Sequence, residues 1–219
     1  MALKPLLLSL MVVGAGGAAS ASTIDFNSFA HSDNVTSVMS SDGLVSANVT
    51  ASGGINQAWA FNTNLTTTRD NDLEGPFDSF NGTSPDGYDA GNVLIIQENL
   101  NTSADDNAGG GSITFQFAEA VTLLGFGLFD DAVVTITSVS GGTTFTGSLP
   151  VPAADGKYDN FDVGSLFENV TDLTFTLDGS GAIDDLRFAL TPIPVPAALP
   201  MLLAGIGGLG LVARRRARR

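Results

Sequence analysis

The chain of 219 residues contains no cysteine. Disulfides are therefore excluded as a source of stability, as are thiolate catalysis and zinc–thiolate sites. Cations are scarce as well, with nine Lys and Arg against 23 Asp and Glu. Only Arg69, Lys157 and Arg187 fall between Ser22 and Pro192, so this segment carries a formal −20, more extreme than the −14 of the whole chain. Such a field repels nucleic acid and anionic lipid headgroups and favours divalent cations. His31 is the only histidine, in "AHSDN". A Ser-His-Asp triad needs these groups to converge from separate elements, so consecutive placement reads as a surface loop. No window sustains helical spacing for more than about ten residues, and neither a phosphate-binding loop nor an internal repeat is found.

What the chain has instead are short alternating apolar runs bounded by Gly, Asn and Asp, the pattern of strands and turns. Strands are expected at Thr23–Phe26, Leu44–Ala51, Ala58–Asn62, Val93–Gln97, Ser112–Phe117, Val121–Phe129, Ala132–Val139, Thr143–Ser148, Asp172–Leu177 and Ala182–Ala189. Ile113, Phe115 and Phe117 share one face, as do Leu173, Phe175 and Leu177, and these six are the expected centre of the core. The fold class read from this is all-β, a two-sheet β-sandwich of jelly-roll type over residues 22–191. Residues 63–92 are too long and polar for a hairpin turn, and an ordered loop of that length calls for a function or ligand that organises it.

Both ends are apolar. Lys4, the run Pro5–Val13 and small residues with Ala19 and Ala21 at A-x-A spacing read as a signal peptide over 1–21, cleaved after Ala21. Ala197–Ala213 is 17 residues without charge. As a helix it would reach about 25 Å, at about 1.5 Å per residue, against a hydrocarbon core of about 30 Å. Arg214, Arg215, Arg216, Arg218 and Arg219 follow and are costly to translocate, which keeps them cytoplasmic and turns the body outward.

A proline-punctuated stretch, a short Gly-rich span and a terminal Arg cluster together resemble the PEP-CTERM type of bacterial sorting signal, in its VPLPA-CTERM variant. Ile193-Pro194-Val195-Pro196-Ala197 stands where that variant has Val-Pro-Leu-Pro-Ala. The resemblance implies a membrane-anchored precursor read over 192–219 by an exosortase-type sorting protease, then a mature form at the cell surface or outside the cell. Alternating prolines hold the peptide extended, as an enzyme cleft requires. An ordinary tail anchor with a Pro-rich stalk is the simpler alternative. The stretches "DNDLEGPF" (70–77), "GNVLIIQE" (91–98), "DDNAGGGSITFQF" (105–117) and "GSGAIDDLRF" (179–188) also look like the secreted β-sandwich ectodomains that precede such tails.

Three acidic clusters are candidates for calcium. Asp70-x-Asp72-x-Glu74-Gly75 follows the start of an EF-hand loop, but its twelfth position is Asn81 rather than Glu, so it reads as a looser calcium loop. Glu98 and Asp105-Asp106-Asn107 bracket a second loop, whose alternative is a Gly-rich turn with solvated acids. In "GAIDDLRF" the spacing of Ile183, Leu186 and Phe188 breaks alternation, which suggests a bulge turning Asp184 or Asp185 inward, with Asp25 on the first strand as partner. Pairing with Arg187 or exposure to solvent is the alternative for that pair.

The reading that follows is a non-enzymatic, calcium-stabilised structural protein of the cell surface or extracellular matrix, associated with exopolysaccharide and not with nucleic acid. A lectin-like module stacking Trp59 or Tyr88 on sugars is the alternative. A secreted glycoside hydrolase ranks third, since such an enzyme needs two carboxylates about 5 to 5.5 Å apart in retaining form and no motif singles out a pair.

Overall fold

The alternating "SITFQF" opens a strand that runs on far past its end. The computed structural model describes residues 21–82, 84–100, 103–130, 134–140, 143–149 and 156–190, with Ile206 and Arg214 beyond them. Its strands are β1 (Ala21–Ile24), β2 (Ser37–Met39), β3 (Ser46–Ser52), β4 (Ala58–Asn62), β5 (Asp78–Ser79), β6 (Asn92–Ile96), β7 (Gly111–Phe129), β8 (Val134–Ser140), β9 (Thr143–Leu149), β10 (Lys157–Leu177) and β11 (Ala182–Leu190). The expected signal residues 1–20 with Ala19, the expected sorting motif 193–197 and Arg215, Arg216, Arg218 and Arg219 lie outside the described residues. Among the described residues no helix is long and apolar enough to cross a membrane.

The all-β, sandwich-like expectation is met, the strands forming one curled sheet. Among the described residues one sheet of 11 strands runs β4-β6-β11-β7-β10-β8-β9, with β1 on β11, β3 beside β7, β2 beside β3, and β5 beside β10. The reason lies in β7 and β10, which are 19 and 21 residues long and carry the hydrogen-bond ladder through a bend. The first part of β7 pairs with the last part of β10 (Ile113↔Phe175), and its last part with the first part of β10 (Phe126↔Phe161). Between them the register shifts three times, over Asp162 to Asp172, where Gly164 and Asn169 take left-handed φ of 59° and 55°. Such bulges bend a strand and raise its twist, which curls the sheet. Ser112–Phe117 and Val121–Phe129 are thus one strand, and 157–171 are strand although their polar residues hide the period.

Curling encloses the main core. All six expected residues are buried, Phe175 lying edge-on to Phe126 at 5.1 Å and Phe115 at 6.1 Å, while Phe117 meets Phe188 at 5.0 Å. A second core lies on the other side of β6, built from Phe61, Val93, Ile95, Phe129 and Tyr158 and closed by Leu73 and Phe77 of the 63–92 loop. That is why "NVLII" is buried at all five positions: Leu94 and Ile96 face the main core, Val93 and Ile95 the second. These apolar anchors fix the long loop against the sheet.

β1 pairs with the end of β11, Ala21 opposite Ala189, so the first and last strands of the body are neighbours.

Candidate functional site

The loop anchored by Leu73 and Phe77 lays its acidic stretch beside the turn that leaves β6. Gln97 is fully buried and organises that turn: its Nε2 donates to Asn99 O at 3.0 Å and Ser103 O at 3.2 Å, and its Oε1 accepts from the Asp105 amide at 3.0 Å. The Glu98 amide then closes the turn on Asp105 O at 3.0 Å. Gly110 lets the chain re-enter the sheet. It has φ +67°, and a Cβ there would collide with Leu177 O, so only glycine fits.

The result is an open pocket of about 370 Å³ lined by Arg69, Asp70, Asp72, Glu98, Asp105, Asp106 and Ser180. Two clusters that are separate in sequence form one site. The Asp106 amide donates to Asp70 Oδ2 at 3.2 Å. Ser180 Oγ donates to Asp106 Oδ2 at 2.6 Å, and the Gly181 amide donates to the same oxygen. Burial, followed by the nearby Asp106 charge, pushes the Asp70 carboxyl up to about 7. Burial also raises Asp106, against the hydrogen bonds from Ser180 and Gly181. At the rim Arg69 Nε stands 3.7 Å from Asp105 Oδ2, and Asn99 Nδ2 donates to both Glu98 and Asp105.

Two expected ligands are used elsewhere. Glu74 Oε1 accepts from the Thr68 amide at 2.6 Å and Thr68 Oγ1 at 2.9 Å, bonds that hold its carboxyl below the usual range and clamp the loop. Asn107 closes the glycine turn, its Oδ1 accepting from the Gly109 amide at 3.3 Å and its Nδ2 donating to Gly110 O. Among the described residues no three His, Cys, Asp or Glu side chains are gathered tightly as a metal centre.

The third cluster divides. β11 has the expected bulge, with a register shift between Asp184 and Arg187 and φ of 48° at Asp185. Asp184 is 1% exposed, and its Oδ1 has no hydrogen-bond partner among the described residues. Burial first, then the charges of Asp185 and Asp25, raise its carboxyl well above the usual range, while the Phe26 amide bonds it in opposition. Asp185 instead accepts from Tyr88 Oη at 2.5 Å. Arg187 takes neither; it pairs with Asp162 at 2.8 Å and donates to Phe161 O. Asp25 accepts from the Asn27 amide at 3.0 Å.

The aromatic candidates are engaged inside the protein. Tyr88 stacks on Tyr158 at 4.4 Å, and Trp59 donates Nε1 to Gln57 at 2.8 Å while packing on the second core. His31 Nδ1 accepts from the Asn62 amide at 3.1 Å, which places the proton on Nε2, 3.4 Å from Ser103 Oγ. In that tautomer the ring does not accept a proton from the serine.

Sequence reasoning missed Gln97, Ser180 and Gly181. The "GSG" before β11 signals a turn, but nothing in it tells that the turn meets Asp106. No protein-family model, curated protein or solved structure matches the chain.

Proposed function

We propose that this chain is a non-enzymatic structural protein of the bacterial cell surface or extracellular matrix. It is exported by its signal peptide, anchored and processed through its tail by an exosortase-type protease, and stabilised by calcium within exopolysaccharide. The observation that carries the calcium part is the meeting of Asp70, Asp72, Glu98, Asp105 and Asp106 at one open pocket. Calcium takes several carboxylate and carbonyl oxygens in flexible geometry, and small side-chain movements around the ion would gather them. A buried carboxylate pair that is costly to ionise alone becomes favourable beside a divalent cation. The partnerless oxygen of Asp184, with Asp25 near, is the candidate for a second ion. Isothermal titration of calcium into the 22–190 body tests this. Heat of binding that is lost in Asp70→Asn and Asp106→Asn is expected; no binding to the unaltered body contradicts it.

Glycan recognition is the second reading. An open groove of about 620 Å³ beside β2 and β3, lined by Phe29, Phe117, Ser37, Asn48 and Gln116, offers hydrogen-bonding groups next to apolar surface. This groove supports it better than Trp59 or Tyr88 does. Glycan binding that disappears in Phe29→Ala would favour this reading over a purely structural role.

A further inference from the structure

The margins of the curled sheet are protected unequally. β4 ends the strand order on one side, but residues 32–35 cover it: Ser32 N donates to Ala60 O, Val35 N to Ala58 O, and Ala60 N to Asp33 O, all within 2.9 Å. β2 and β5 are margins of only three and two residues. β9 is different. It spans seven residues, Thr143–Leu149, all paired in regular register with β8, and among the described residues it has no second strand neighbour.

In an antiparallel strand alternate residues direct their N–H and C=O away from the neighbour, so, among the described residues, β9 offers a row of open backbone donors and acceptors. Proteins blunt such edges with charge, proline or a bulge. β9 has none of these along its length: "TTFTGSL" lacks charge and proline, and its ladder with β8 shows no register shift. The first proline, Pro150, stands just after it. Moreover, residues 132–154 carry no charged side chain in a body of net −20. Two copies approaching through the acidic loops would bring carboxylates together, whereas approach along β9 avoids that repulsion.

We propose that β9 pairs antiparallel with β9 of a second copy of this chain, joining two curled sheets into one. A two-fold interface of this kind is self-complementary and closes at a dimer. The middle residue of the strand, Thr146, would lie close to its own counterpart. The inference is independent of calcium and of export, since it rests on sheet topology and charge placement.

The absence of cysteine provides the test. A single Thr146→Cys in the full-length chain puts the only thiol at the two-fold, where cross-strand Cβ atoms about 4.5 to 5.5 Å apart allow a disulfide under mild oxidation. A disulfide-linked dimer is expected, and little of one from Thr174→Cys in β10, which is paired on both sides, with Thr114 of β7 and Thr137 of β8. Sedimentation of the 22–190 body, which contains every described strand and both cores, should give a dimer at micromolar concentration. Thr144→Lys with Thr146→Lys should give a monomer with the same cooperative thermal melt, which separates loss of pairing from loss of folding. A monomeric unaltered body, open-ended polymers, or a dimer that persists in the double-lysine variant without cross-linking at residue 146 would overturn the proposal.

Discussion

Asp70 and Asp106, 36 positions apart in the chain, meet at the wall of one pocket, where the Asp106 amide donates to the Asp70 carboxyl at 3.2 Å. Both are almost fully buried, at 5% and 7% exposure. Two carboxyl groups so placed are costly to ionise without a counter-ion.

In chelator the body should lose thermal stability as pH rises. The Asp70 carboxyl goes from an ordinary 3.8 to about 7 on folding. Between these values the folded state holds a proton that the unfolded state has released, so stability falls with rising pH and the loss is complete above the folded value. Asp184, also raised, acts in the same direction. Scanning calorimetry from about pH 5 to about pH 7.5 should show a falling melting temperature, and Asp70→Asn should flatten the slope. A flat profile for the unaltered protein would contradict this.

Calcium should reverse the loss. Binding to the folded state alone contributes about 2.7 kcal/mol at 100 times the dissociation constant. For a body of this size that is a rise of about 5 to 10 °C, at about 2 to 4 °C per kcal/mol. Chelation should lower the melting temperature by that amount at neutral pH, and Asp106→Asn should remove most of the difference.

Asp184→Asn should raise metal-free stability at alkaline pH. The neutral amide keeps the shape of the carboxyl and removes the cost of ionising a group that is 1% exposed. If Asp184 holds a second ion, the same variant binds one calcium fewer by titration. Comparing melts of the two proteins in chelator and in calcium separates these effects.

Phe175→Ala should cost about 3 to 5 kcal/mol in urea unfolding, as for fully buried aromatics whose site does not collapse. Phe175 stands on the last part of β10 yet touches Phe126 on the last part of β7, so it joins the two arms of the curl.

Strand identity was legible wherever apolar residues alternate. Ala58–Asn62 is found with the same limits, and Phe115 and Phe175 are buried as their spacing requires. The curl was not legible, because it depends on β10 pairing through "YDNFDVGSLFENV", where bulges and polar residues erase the period of two. The bulge at Asp184-Asp185 was readable, since it breaks an otherwise regular apolar spacing. The joining of Asp70 to Asp106 was not, because loop acids look alike in sequence and only the apolar anchors Leu73 and Phe77 decide where their loop lies. Glu74 and Asn107 fit a ligand pattern equally well, but local turns claim them.

Mass spectrometry of the mature protein from its native host tests the central claim, export and processing at both ends, most directly. The account predicts a polypeptide that begins at Ser22 and ends near Ile193–Ala197, recovered from the cell surface or the medium. An intact Met1–Arg219 chain in the cytosol would contradict it.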